Sequence, residues 1–289
     1  MELLCGFFVE KAKHLANPQN FRIQRYLSHQ VADQAHQNLL DGVKPFPAVA
    51  ARIISNQHSG ATAWLRVVPS HQSLRLSGQD FRITAQLHAG LRPTVLPNVA
   101  CVCGKELSVP HALSCVRSQV RFWRHDALVD DTHTWLRRRR IHTVKEVHVS
   151  DTGEDRIDIW VRADRRVRWI DFSVTDPGCK SIRDRAAKEP GAAAKRTEGA
   201  KRSAWKKLAA DNDATVVPCA VETTGRRGEE LEEFLVEMEA ASNTGPSRFS
   251  LFQQLAITLQ KFNVQMIREM ARKAIGVRLK KRRFVRALH

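Results

Sequence analysis

The amino-acid sequence predicts a mixed α/β fold, and three features carry that prediction. Residues Arg156 to Val174 alternate apolar and polar positions with period two, as paired strands do. Apolar residues at helical spacing precede them, among them Val120, Trp123, Leu128, Trp135 and Leu136. An Ala-rich helical stretch from Ala192 to Leu208 follows, then the β-rich run ATVVPCAVE from Ala214 to Glu222.

In chain order, residues 1–55 show helix-compatible periods, as in Phe21, Ile23, Tyr26, Leu27 and in Val31, Ala35, Leu39, Leu40. The segment GVKPFP, Gly42 to Pro47, breaks them, and Ala48 to Ile54 starts another short helix. Ser77 or Gly78 can cap a helix reaching Gly90. The whole of 1–97 reads as a helical linker region. A helix from Val116 to Arg140 and a strand from Thr143 to Val149 lead to the hairpin, whose turn is Arg162 to Arg166. After Glu222 a helix from Glu229 to Ala241 completes the order helix, strand, strand, strand, helix, strand, helix. SNTGPS then interrupts the pattern, and 242–289 reads as a basic helical C-terminal tail, an amphipathic helix or pair that ends in basic residues. Asp130 and Asp131 sit in the helical stretch with no flanking hydrophobic hairpin, which excludes a polymerase palm.

A net charge of +17 and a pI near 10.2 favour a polyanionic partner, nucleic acid before membrane, because basic side chains displace the counterions condensed on phosphates. No stretch is apolar for long enough to span a bilayer, and the opening MELLCGFFVEKAKHLA lacks the basic start and cleavage site of a signal peptide. The expectation is therefore an intracellular protein with no membrane partner. Arg137, Arg138, Arg139 and Arg140 are either a solvated helix end or a track for a phosphate backbone. The tail with Lys280, Lys281, Arg282 and Arg283 suits nucleic-acid binding or nuclear localisation, or is a solvated terminus.

Six cysteines in 289 residues are too sparse for a disulfide framework, yet three of them cluster. Cys101, Cys103, His111 and Cys115 form a C-x-C-x7-H-x3-C set within residues 98–116. Three thiolates and an imidazole suit a tetrahedral structural Zn²⁺, with Gly104 permitting a tight turn and His111 and Cys115 one helical turn apart. The second set is Asp158 and Asp171, one on each strand of the hairpin. Antiparallel pairing can bring both to one face, where two like charges are costly without a cation such as Mg²⁺. The alternative is a solvated face on which the aspartates offset nearby arginines.

The helix-strand-strand-strand-helix-strand-helix order, with Asp158 in the second strand and Asp171 in the third, resembles the PD-(D/E)XK restriction-endonuclease-like fold. Preceded by the Cys/His knuckle and a helix carrying Arg124 and His125, and followed by VVPCAVETTGRRG, residues 50–241 resemble the C-terminal part of site-specific non-LTR retrotransposon proteins. AWL at Ala63 to Leu65 and LHAGL before the knuckle resemble that family's linker. The resemblance implies an endonuclease domain at 117–241 that nicks DNA with Mg²⁺ and leaves a 3′-hydroxyl to prime reverse transcription. Asp158 matches the acid of the PD motif, with Ile157 in place of proline, and Asp171 the acid of the (D/E)XK motif. Ser173 stands where that motif has lysine, so the resemblance moves the lysine to the next helix, to Lys201 or alternatively Lys188 or Lys195, with Trp205 where the family often has tyrosine. Glu146 and Glu222 are further candidate ligands. Implied partners are a DNA target, element RNA and a separate reverse transcriptase chain. The competing expectation is a binding relic that has lost cleavage.

Overall fold

The computed structural model describes residues 23–150, 153–242 and 244–287, which excludes Phe21. The chain divides into two units, Met1–Pro45 and Phe46–His289. In the first, helix α1 (Ile23–Val43) exposes Val31 and Leu39 and is held within itself by polar pairs such as Gln34 to Asn38. The second unit begins inside the expected linker region: residues 46–97 belong to the same compact unit as the zinc set and the sheet.

Within that unit, Pro47 opens α2 (Pro47–Ser55), where its missing N–H costs nothing. Ser77 caps α3 (Gly78–His88), its hydroxyl accepting from the Asp80 amide at 3.1 Å. Next come α4 (Val109–Ser114) and the long α5 (Val120–Arg138). The strands are β1 (His142–His148), β2 (Arg156–Ala163) and β3 (Arg166–Thr175), and α6 (Ala192–Asp211) returns the chain to β4 (Ala214–Glu222). Helix α7 (Glu229–Ala240) and the 40-residue α8 (Arg248–Ala287) follow.

The four strands form one sheet in the order β1-β2-β3-β4, antiparallel up to β3, with β4 parallel to β3. Asp164 and Arg165 alone make the hairpin turn, at φ 49° and 61°. Two consecutive left-handed residues match the strand twist, so Arg162, Ala163 and Arg166, expected in the turn, pair within the strands instead.

Ile159, Val161, Ile170, Phe172 and Val217 of the sheet bury against Leu128 and Leu136 of α5, Leu231 and Leu235 of α7, and Leu251, Leu255 and Leu259 of α8. Trp169 and Val216 pack with Trp205, Leu208 and Ala209 of α6. Further along α8, Val264, Met266, Ile267 and Met270 join Ile83 and Leu87 of α3 and the cysteines in a second core. Residues 248–274 are therefore no tail: one helix crosses both cores, and each fully buried side chain contributes about 1.5–3 kcal/mol. Among the described residues no helix is long and apolar enough to cross a membrane.

Candidate metal cluster and hairpin cavity

Cys101, Cys103, His111 and Cys115 come together with all four ligand atoms within 4.8 Å of one another, the one group of three or more such side chains among the described residues. Gly104, at φ +87°, makes the turn that a side chain would strain, its amide reaching the Cys101 carbonyl at 2.9 Å. Ser108 caps α4, which brings His111 back over the turn so that its Nε2 lies 3.2 Å from Cys103 Sγ. Cys101 and Cys115 place their sulfurs 3.8 Å apart. A tetrahedral ion with Zn–S bonds of about 2.3 Å requires sulfurs about 3.75 Å apart, so the donor set and spacing fit a metal such as zinc. Burial pushes the Cys101 thiol up to about 11, which disfavours a thiolate there without a cation. The cluster is part of the second core, not a separate small one, since Cys101 and Cys115 pack with α3 and α8.

The hairpin site is built where the ladder opens. Regular pairing of β2 with β3 runs from Ala163↔Arg166 to Ile159↔Ile170, and the next position of that register is Asp158 opposite Asp171. There the Asp158 carboxylate, Oδ2, accepts from the Phe172 amide at 2.6 Å. On the other side of β2, pairing with β1 skips Glu146, whose φ is +54°, while the register on either side, Lys145↔Ile159 and Val147↔Ile157, is kept. Asp158 thus occupies a notch left by both neighbouring strands.

Each aspartate has a basic partner from a helix. His125 of α5 brings Nε2 to 3.1 Å from Asp158 Oδ2. Burial opposes the charge on His125, but the hydrogen bond and charge of Asp158, with Asp126, outweigh it and raise its pKa to about 9. Asp171, 6% exposed, accepts from Lys201 Nζ at 2.9 Å and from Trp205 Nε1 at 2.5 Å. Lys201 and Trp205 lie one turn apart on α6, so a single helix face supplies both donors. Of the three candidate lysines, Lys188 is exposed and Lys195 lines a different cavity, beside Arg226 and Gly191. A cavity of about 590 Å³ is lined by Asp158, Lys201, His125, Phe122, Phe172 and Ser173, with Asp171 behind Lys201.

The other candidates separate. Glu146 lines the same cavity and pairs with Arg156 at 3.5 Å, while Glu222 is buried elsewhere, accepting from Ser55 and from the Ala194 amide. Arg137, Arg138 and Arg140 are exposed, but Arg139 is not available to a phosphate. It is buried against the Trp135 ring and donates to the carbonyls of Pro246, Glu239 and Ser242, because a chain reversal there leaves three acceptors for one guanidinium fork. Lys280, Lys281, Arg282 and Arg283 have side chains outside the described residues. Arg124 is also buried, bonded to Asn263 and to the Leu113 carbonyl, and so ties α5 to α8 and the metal cluster. Sequence reasoning placed His125 on a helix but not against Asp158, because 33 residues separate them.

Fold and site together define a mixed α/β protein with a four-stranded sheet, a Cys₃His cluster that could hold a metal such as zinc, and a separate cavity lined by acidic and basic side chains. A comparison with protein-family models found none that matches the chain, and a comparison with curated proteins likewise found no match.

Proposed function

We propose that the chain is a Mg²⁺-dependent DNA endonuclease with a restriction-endonuclease-like core and a structural zinc cluster, of the kind found in site-specific non-LTR retrotransposon proteins. The observation that carries it is that Asp158 and Lys201 line one cavity at the opening of the hairpin and that Lys201 also bonds Asp171. The sheet supports it too, since three antiparallel strands with a fourth added in parallel through α6 suit such a core.

Hard oxygen donors on adjacent strands fit a small divalent cation, which Asp158, Asp171 and the Phe172 carbonyl would hold. Bound there, the cation would polarise the scissile phosphate and acidify a water. The chain's own side chains do the rest. Lys201, already oriented by Asp171, donates to the attacking water or to the phosphate oxygens as negative charge grows on them. His125 fixes the Asp158 carboxylate from α5. Water oxygen bonds to phosphorus, the P–O3′ bond breaks, and the leaving oxygen takes up a proton to give a 3′-hydroxyl and a 5′-phosphate.

The test is nicking of supercoiled plasmid with Mg²⁺, followed by polymerase extension of the product. Wild type is expected to nick and leave an extendable end, and Asp158→Ala and Asp171→Ala to lose activity. Plasmid that stays intact with wild type across metals and sequences would contradict the proposal. A second reading, a nucleic-acid-binding relic without cleavage, draws on Asp171 being sealed behind Lys201 and Trp205 and on Ser173 in place of a local lysine. It predicts binding that weakens steeply with salt and no cleavage.

A further inference from the structure

The first turn of α5 carries two large rings in water. Phe122 is 52% and Trp123 56% exposed, although Val120 and Arg124 beside them are buried. Being consecutive, they diverge by about 100° around the helix and border different spaces. Trp123 lines a groove of about 740 Å³ between α5 and α8, with Val95, Arg268, Arg272 and Ile275. Phe122 lines the hairpin cavity, and the Arg121 guanidinium sits 4.7 Å from its ring centroid. The helix turn is therefore a ridge between the groove and the cavity that holds Asp158 and Lys201.

We propose that this ridge binds single-stranded nucleic acid, with bases stacked on Phe122 and Trp123 and phosphates met by Arg121 and Arg272. Charge argues for nucleic acid. Arg272 is exposed on the groove wall, and the acid beside it, Glu269, is taken by Lys273 at 2.7 Å and by Ser118. Arg268 is partly neutralised by Asp80 at 2.6 Å, so Arg272 is the groove's principal cation. Ring faces argue for a single strand, because a duplex keeps the faces of its bases stacked on one another, whereas an unpaired base offers its π-face to any aromatic platform. The inference adds the state of the strand to the endonuclease reading and is tested by binding alone.

The experiment is fluorescence anisotropy of a labelled oligo(dT) strand with zinc-loaded full chain, without Mg²⁺ and over a range of salt. Phe122→Ala and Trp123→Ala are each expected to weaken binding roughly 5- to 100-fold with the salt slope unchanged. Trp123→Phe restores most of the affinity. Arg272→Gln lowers the slope by about 0.7, as loss of one single-strand phosphate contact does. Val144→Ala, at an exposed apolar residue of β1, leaves binding as it was. Alanine variants that bind oligo(dT) like wild type, or that lose duplex affinity to the same extent, would overturn the proposal. Absence of nicking with stacking intact counts against the endonuclease reading alone, and circular dichroism of each variant verifies the fold.

Discussion

The metal cluster and the hairpin cavity both bring ionisable groups together, but they resolve the resulting cost differently. Cys101, Cys103, His111 and Cys115 face one another, and burial holds the Cys101 thiol high. Asp158 and Asp171 instead each have a basic side chain of the protein beside them, His125 and Lys201. The cluster's donors have only one another and would gain most from an ion, whereas each hairpin aspartate is already balanced by a cationic side chain of the protein. That difference ranks the expected effects.

The largest should follow loss of the metal. Chelation or Cys115→Ser removes folding free energy on the order of 10 kcal/mol that such sites supply, and it loosens α3 and α8 through the shared core. Thermal unfolding with and without chelator measures it, and an unchanged melting temperature would place the cluster outside the folding balance. Asp158→Asn, by contrast, should leave zinc content and fold intact.

Arg139→Met comes next, with a loss of about 3 kcal/mol in denaturant unfolding, because three half-buried carbonyls lose their donor. Its neighbours sharpen the point. Arg137→Gln, Arg138→Gln and Arg140→Gln should each change stability by less than about 0.5 kcal/mol and reduce the salt dependence of DNA binding.

A smaller, pH-dependent effect is expected at Glu198 of α6. Burial, then the charge of Glu230, raises its carboxyl to about 7, and its Oε1 is buried with no hydrogen-bond partner. A carboxyl raised in the folded state contributes full stability below its unfolded value of 4.5, and that contribution fades as pH rises through 7. Glu198→Gln should therefore match wild type near pH 4 and exceed it at pH 8, by on the order of 2 kcal/mol. Unfolding curves at both pH values decide it, and equal gains at both would remove the ionisation argument.

How much of this was legible in the sequence differs between the same two regions. Strand β4 spans Ala214–Glu222 as its β-rich run predicts, and β2 and β3 follow the period-two pattern. The cluster is legible because its four ligands lie within fifteen residues, so local turns suffice to assemble them. Asp158 and Asp171 are legible from register as far as their strands, since each lies one position beyond the last pair, Ile159↔Ile170. His125 is not, because which turn of α5 meets β2 depends on tertiary packing. Arg139 reads as one of four equivalent arginines, and only the return of the chain at Ser242 to Pro246 singles it out. The SNTGPS break suggested a tail beyond it, but the apolar face of α8 needed cover, and two cores supplied it.

The most direct test measures zinc content and plasmid nicking together on wild type, Asp158→Ala and Cys115→Ser. Asp158→Ala is expected to retain zinc and a cooperative fold but to lose nicking, and Cys115→Ser to lose zinc and fold together. Asp158→Ala that nicks as well as wild type would contradict the assignment of the hairpin as the site of cleavage.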